Sequence, residues 1–270
     1  MDSISIFANA EPIELGSMLF TIVEPHRGYE VEYNRWYERD HLYSGCMIGP
    51  YNFAAKRFVA TSALKALRYP KSSSITGDID RGSYLALYWI LKGYGDIWGK
   101  WAGKQVMALH EAGRMFEQRD HVHTQLYDFD WPISSTTDGV PAELVLDHPY
   151  QGVIVEFFDR NDEVEASRFE KLLADHELYL QAQANDRTTS LVFRPQEMKA
   201  TAPGVKAGQA DPSRYLVLTF TSETPEKILT HLLDNSDNSQ LAQISILQAR
   251  LGFIPTIPGT DTYCDQLWAD

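Results

Sequence analysis

The sequence predicts an α+β protein in which one β-α-β-β-α-β unit occurs twice. Short apolar segments of strand length alternate with segments of helical periodicity, and this order occurs both before and after residues 133–148. Residues 133–148 are rich in Ser, Thr, Asp, Gly and Pro, which is typical of a linker. We therefore assign residues 1–132 to a first repeat, residues 133–148 to a linker and residues 149–270 to a second repeat.

The first repeat contains four predicted strands and two predicted helices. The strands are the apolar segments at residues 17–23, 53–60, 84–90 and 121–129. One helix carries residues 33–42 and is expected to end at the glycines 45 and 49, whereas the other spans about 96–117. The fourth strand is expected to end at Trp131-Pro132. Residues 61–82, rich in Ser, Lys and Gly, are interpreted as an inserted loop.

Four short matches support the repeat. Residues 21–24 recur at 153–156, Asp40-His41 recurs at Asp175-His176, residues 83–87 recur at 214–218, and residues 125–127 recur at 266–268. The matches keep one order at nearly constant spacing, which indicates an internal repeat. A second register, which aligns the apolar stripes of the two helices, would place His176 opposite Asp40. Both registers stay open.

A β-α-β-β-α-β unit covers only one face of its sheet with helices, so the other apolar face must be buried by a second copy. Fusing two copies makes that burial intramolecular. We expect the space between the two sheets to form a barrel-like cavity. The sequence also allows a homodimer of the whole chain, because outer strand edges and helices remain available.

The helix at residues 33–42 has one continuous face that begins aromatic and ends polar. At helical spacing this face contains five side chains, namely Tyr33, Trp36, Tyr37, Asp40 and His41. A buried carboxylate without a partner is costly, so Asp40 must be hydrogen-bonded, ion-paired or open to a wet cavity. The pattern therefore predicts an acid and an imidazole at the edge of a core.

Composition excludes several classes of protein. The formal net charge of −13 argues against nucleic-acid and anionic-membrane partners. Two cysteines without a CxxC motif are too few for a disulfide scaffold, and neither a signal peptide nor an apolar run of ~20 residues is visible, so a cytoplasmic location is expected. The GxGxxG, P-loop, G-x-S-x-G and HExxH motifs are absent from the sequence.

The motif Asn34-x-Trp36-Tyr37-x-x-x-His41 between two strands resembles the helix motif of the dimeric α+β barrel superfamily, most closely its EthD-like branch. The resemblance implies a tandem member, in which two ferredoxin-like repeats form an intramolecular dimeric α+β barrel. It covers both halves in topology but only the first half in motif. The superfamily includes cofactor-free monooxygenases, cyclases, isomerases, dehydratases and haem-degrading enzymes, so the motif is poorly specific for function.

The favoured interpretation is a cofactor-independent acid/base enzyme of the lyase or isomerase type. Its substrate would be a small apolar, aromatic or polyketide-like molecule. We expect His41 to act as the general base, Asp40 to orient it, and His123 to assist at the developing oxyanion. The predicted substrate-binding residues are Trp36, Tyr37, Arg57, Tyr84, Tyr88, His121 and His176.

Neither a cofactor nor a metal is expected. His121 and His123 stand two apart on a predicted strand, so both should project to one face, but no third ligand is fixed by sequence. One alternative is a haem- or oxygen-using oxidoreductase with His121, His123 or another histidine as axial ligand. A second alternative is a non-enzymatic protein whose cavity only holds a small ligand.

Overall fold

The computed structural model describes residues 12–134, 139–184, 188–199, 205–235 and 240–269. Eight long strands form one closed antiparallel barrel, and a two-stranded ribbon lies apart from it. The barrel strands are β1 (Leu15–Pro25), β2 (Asn52–Val59), β5 (Tyr84–Leu91), β6 (Arg119–Ser134), β7 (Gly152–Arg160), β8 (Thr189–Pro195), β9 (Arg214–Thr221) and β10 (Ser245–Pro255). The ribbon consists of β3 (Ser72–Ser73) and β4 (Gly77–Asp78), within the predicted inserted loop.

Helices cover the outside of the barrel. They are α1 (Glu30–Trp36), which continues without a break into a π-helix (Tyr37–Met47), then α2 (Ser62–Ala66), α3 (Gly95–Glu111), α4 (Ala166–Ala184) and α5 (Pro225–Asn235). Short 3₁₀ turns occur at Ala142–Leu144, Leu241–Gln243 and Cys264–Gln266. No helix in the described part of the chain is long and apolar enough to cross a membrane.

The strand order around the barrel is β1, β5, β2, β10, β7, β9, β8 and β6, after which β6 pairs with β1. In each half the fourth strand lies beside the first, the first beside the third, and the third beside the second. This is the ferredoxin-like arrangement. The prediction of an α+β chain with two tandem ferredoxin-like repeats forming an intramolecular dimeric α+β barrel is confirmed.

The two halves join along two seams of unequal length. At one seam β6 pairs with β8 from Tyr127 to Ser134, and at the other β10 meets β2 only near Val59. Because the described barrel strands close on themselves, the outer strand edges that we expected to support a homodimer are already paired. A homodimer stays a prediction, and it would have to use helices or loops.

Two predicted boundaries are wrong. Strand β6 continues past Trp131-Pro132 to Ser134, because a register shift between Phe129 and Trp131 accommodates the proline, as bulges do in strands. The match of residues 266–268 to residues 125–127 of β6 does not hold in the structure, because Cys264–Gln266 form a 3₁₀ turn and Leu267 packs against the helix layer of the first half. The true fourth strand is β10. The domain division at 133–148 stays a prediction, and residues 135–138 lie outside the described ranges.

Where we expected a cavity between the two sheets, the described residues instead pack aromatic side chains from both halves in the barrel interior. Phe157 of the second half packs edge-on against Phe20 and Tyr127 of the first, with ring centroids 5.7 and 6.5 Å apart. Trp89 and Phe193 make a similar contact across the halves, at 5.8 Å. The barrel is therefore a packed core shared by both repeats.

We expect Phe157→Ala to destabilise the protein by about 3–5 kcal/mol, because it removes a fully buried ring at the contact between the halves. Urea unfolding measures this change. The matched control is Ile246→Ala on β10, whose side chain is 58% exposed and should change stability by less than about 0.5 kcal/mol. Equal effects of the two substitutions would contradict a core shared across the halves.

Candidate functional site

A cavity of about 710 Å³ lies outside the barrel, in the helix layer of the first half. Its floor is the outer face of β1, β5 and β6, and its walls are the π-helix, α3 and the segment after β8. The floor contributes Leu19, Thr21, Val23, Tyr88, His121, Thr124 and Leu126. The walls contribute Tyr37, His41, Gly45, Cys46, Trp98 and several small residues of α3. Most of this lining is apolar, which is typical of ligand sites.

Small residues of α3 create the space. Gly95, Gly99 and Gly103 recur every four residues and all line the cavity. Residues four apart on an α-helix share one face, so this face of α3 has no side chains to fill the gap. Each glycine inside a helix costs about 0.5–1 kcal/mol relative to alanine, so the spacing is a signal that our sequence analysis missed.

The helix that carries His41 changes type along its length. It is α-helical up to Trp36 and π-helical from Tyr37 to Met47, instead of ending at Gly45 as expected. A π-helix forms i→i+5 hydrogen bonds and therefore has wider turns, so side chains separate from the faces that an α-helical period predicts. Tyr37 and His41 line the cavity, whereas Asp40 does not.

Gly45 fits the His41 ring into this wide turn. A Cβ atom at position 45 would lie 2.7 Å from His41 Cε1 and 2.8 Å from its Nδ1, closer than real Cβ contacts. The glycine is therefore needed for the imidazole to occupy its observed place. From the sequence alone, Gly45 is expected only to end the helix.

Aromatic rings hold the His41 imidazole and leave one of its nitrogens without a partner. The ring stacks on Trp36 with centroids 4.5 Å apart and meets Tyr37 edge-on at 5.1 Å. Its Nδ1 is buried and has no hydrogen-bond partner. Burial, together with the charge of Arg119 and the nearby His121, lowers the pKa of His41 to about 3. The ring is therefore neutral at physiological pH.

Asp40 does not orient His41. Its carboxylate pairs at the surface with the guanidinium of Arg114, including an Nε–Oδ2 contact of 3.2 Å. Hydrogen bonds from Arg114 lower the pKa of Asp40. The role we predicted for Asp40 fails because the π-helix turns its side chain away from the imidazole and toward a cation.

His121 and His123 lie on opposite faces of β6, and not on one face as predicted. A register shift opposite Ile22 and Val23 pairs Ile22 with His123 and Val23 with His121. His121 therefore lines the cavity, where its Nδ1 contacts Thr124 Oγ1 at 3.0 Å. Burial lowers its pKa to about 4.

His123 points into the barrel instead. Its Nε2 contacts the Tyr127 hydroxyl at 2.7 Å, and its ring packs against Phe157 at 5.4 Å. Burial lowers its pKa to about 4. It is a core residue, separated from His41 by the sheet.

The predicted substrate-binding residues divide between the cavity and the core behind it. Tyr37 and Tyr88 line the cavity, and their hydroxyls are 2.7 Å apart. Arg57 is buried behind them and lies 4.5 Å from the Tyr37 ring and 5.0 Å from that of Tyr84. Neither Arg57 nor Tyr84 lines the cavity, and Trp36 supports the His41 ring from outside it.

Two further polar groups at the cavity were not predicted as site residues. Arg119 lines the wall beside both histidines and lies 4.9 Å from the Trp36 ring centroid. Trp98 is buried, and its indole N–H has no acceptor. Of the two, Arg119 can donate a hydrogen bond to a ligand in the cavity. Nothing in the local sequence marks Arg119, because a register shift and a distant helix bring it to the site.

His176 lies in the second half, on the barrel-facing side of α4, far from the cavity lining. It is grouped with Glu156 and Glu177, so the sequence prediction of a substrate-binding role beside His41 finds no geometric support.

Neither a family model nor a curated protein matches this sequence. Several solved structures do. A protein described as a chlorite dismutase aligns over 92% of this chain and 98% of its own, with 10% identity and a TM-score of 0.53. A dye-decolorizing peroxidase from Bacteroides thetaiotaomicron aligns over 97% and 100%, with 11% identity and a TM-score of 0.52. A DypB variant from Rhodococcus jostii RHA1, solved in complex with haem, aligns over 96% and 97%, with 9% identity and a TM-score of 0.52.

These neighbours share the α+β barrel fold with this chain, and none of those described above is an EthD-like protein. The neighbours described above, which include a peroxidase and a protein solved with haem, also overturn the predicted cofactor-independent lyase or isomerase. The site agrees. A general base works best with a pKa near the operating pH, and a His41 pKa of about 3 is far too low.

The pH dependence of stability tests the environment of His41. Its folded pKa of about 3 lies below the ordinary 6.5, so between these values the unfolded chain binds a proton that the folded chain does not. Stability contributed by the neutral ring is complete above pH 6.5 and is lost as the pH falls toward 3. We expect His41→Leu to reduce the slope of unfolding free energy against pH by up to ~1.4 kcal/mol per pH unit. Urea unfolding at pH 7, 6 and 5 measures it, and identical slopes would contradict the burial.

Proposed function

We propose that this chain is a haem-binding oxidoreductase whose cofactor occupies the cavity of the first half. The observation that carries the proposal is the His41 imidazole, which lines an apolar cavity and is neutral at physiological pH. Neutral imidazole is a common ligand of haem iron. The fold likeness to chlorite dismutase and dye-decolorizing peroxidases, one of them solved with haem, supports the choice of cofactor.

The cavity suits a large, flat, mainly apolar group. Its volume of about 710 Å³ is within the usual 300–1,000 Å³ of small-molecule and cofactor sites. Apolar side chains of the floor and the glycine face of α3 would contact a macrocycle without clashing. Cationic side chains that line the walls, namely Lys100, Lys104, Arg119 and Lys199, can pair with its carboxylates.

Of the histidines, we assign His41 as the iron ligand. His123 is enclosed in the barrel and cannot reach the cavity, and the Nδ1 of His121 already contacts Thr124. The stacked Trp36 fixes the plane of the His41 ring. The positive charge of Arg119 disfavours protonation of both cavity histidines, so a lone pair stays available for a metal.

Haem in this cavity would supply redox chemistry with oxygen or a peroxide. The chain's own groups would bind and orient the other reactant. The Arg119 guanidinium lines the cavity and can donate to an oxygen atom there. The substrate is accordingly a small molecule that reaches the cavity.

Titration of the purified chain with haemin tests the proposal directly. We expect one haem per chain, a Soret band and little change in affinity between pH 8 and 5, since the imidazole needs no deprotonation in that range. His41→Ala should weaken binding at least tenfold and shift the Soret maximum. The matched control is His110→Ala, which removes an exposed histidine of α3 outside the cavity. No 1:1 adduct in native mass spectrometry, or equal affinity for His41→Ala and the parent, would overturn the proposal.

Substitution on the glycine face of α3 tests the location separately from the ligand. A Cβ at Gly99 would meet the Leu126 Cδ1 at 3.5 Å, an ordinary contact. Gly99→Ala is therefore expected to fold and to gain up to about 1 kcal/mol of helix stability. Gly99→Leu should fill the cavity and lower haem affinity at least tenfold while leaving thermal stability near that of the parent.

Unchanged haem affinity in Gly99→Leu would place the cofactor elsewhere. Peroxide-dependent oxidation of a dye by the loaded protein then separates an oxidoreductase from a protein that only stores haem. Binding without turnover would leave the third sequence interpretation, a non-enzymatic ligand-binding protein.

A further inference from the structure

The second half contains a buried polar cluster at the place that corresponds to the cavity. Glu156 projects from the outer face of β7, and His176 and Glu177 project toward it from α4. Both carboxylate side chains are completely buried. This cluster is independent of the haem proposal, because none of its residues lines the first-half cavity.

Each of the three side chains has one buried atom without a hydrogen-bond partner. These atoms are Glu156 Oε2, His176 Nε2 and Glu177 Oε1. The three side chains also offer ligand atoms that all lie within 4.8 Å of one another. Buried polar atoms are rarely left unpaired, since each costs about 1–3 kcal/mol. Three such side chains converging on one point indicate a missing common partner.

The remaining atoms of both carboxylates are held in place by neighbours. Glu177 Oε2 accepts hydrogen bonds from Ser190 Oγ at 2.7 Å and Thr219 Oγ1 at 2.8 Å. Glu156 Oε1 accepts one from Arg250 Nε at 2.7 Å. Outer partners of this kind orient metal ligands and leave the second oxygen free.

The charges of the cluster also call for a cation. Arg250 balances Glu156, and no ion pair is found for Glu177 among the described residues. Two carboxylates buried side by side destabilise each other unless a proton or a cation lies between them. A void of about 10 Å³ beside Glu156 and Thr219 is the size of one water molecule, which can complete a coordination shell.

We propose that Glu156, His176 and Glu177 bind one divalent transition-metal ion, of the class of Zn²⁺ or Mn²⁺. One imidazole and two carboxylates are the ligand types that such ions take in proteins, and the buried Nε2 of His176 has no hydrogen-bond partner. The ion would join α4 to the sheet of the second half. This metal site is distinct from the cavity of the first half.

The experiment uses the full chain stripped with a chelator and then dialysed against Zn²⁺ or Mn²⁺, with metal content measured per chain. We expect the parent to bind one ion with micromolar or tighter affinity and to show a higher Tm with the ion. Glu177→Gln and His176→Ala should each lose the bound ion and the Tm increase. The matched control is Asp175→Asn, which removes the neighbouring exposed carboxylate of α4 and should bind as the parent does.

His41→Ala should keep the ion, which separates this site from the haem cavity. If His176→Ala does not fold, visible absorption of Co²⁺ bound to the parent, displaced by Zn²⁺ and absent in Glu177→Gln, replaces that comparison. No metal uptake by the parent would overturn the proposal and leave a shared proton between the carboxyl groups. Equal uptake by the parent and Glu177→Gln would also overturn it.

Discussion

The structure depends on the mutual burial of two apolar sheet faces. Each repeat alone would expose the face that its helices do not cover, and closing the strands into one barrel removes both faces from water. The rings of Phe20, Phe157, Trp89 and Phe193 pack together in the interior. The cavity of the first half lies instead outside the barrel, in the helix layer.

The internal repeat and the strand order could be predicted from the sequence, because both follow from apolar periodicity and from the need to bury the uncovered face. The positions of the site side chains could not. A register shift separates His121 from His123, and a π-helix separates His41 from Asp40. Each irregularity shifts the following side chains by one residue relative to the ideal period. A prediction from periodicity assumes that the helix or strand contains no such shift.

The residues that the sequence analysis missed show the same limit. Gly95, Gly99 and Gly103 were visible as a spacing, but a row of glycines has meaning only once the opposite wall is known. Arg119 is the first residue of β6. No sequence motif marks it, so its position beside the cavity is visible only in the folded structure. Residues 266–268 are the opposite case, a match in sequence that the structure does not support. A likeness of three residues carries little information without its structural context.

The two helix layers differ in what occupies the space beside the histidine of each half. The repeat places His41 and His176 at matching positions, each facing the outer side of its own sheet. In the first half, glycines on α3 and Gly45 leave an open volume, and the histidine lines it. In the second half, Leu173 and Leu180 fill the layer, and the polar groups that remain converge on one point.

Desolvation decides what His41 can do. An imidazole in an aromatic cage loses the hydration of its charged form, and the nearby Arg119 adds repulsion, so the pKa falls to about 3. A base that weak is protonated in a negligible fraction of molecules at neutral pH and cannot take a proton from a carbon acid at a useful rate. The same shift leaves its lone pair free at every physiological pH, and a metal needs that lone pair. The environment that excludes His41 as a general base therefore favours it as an iron ligand.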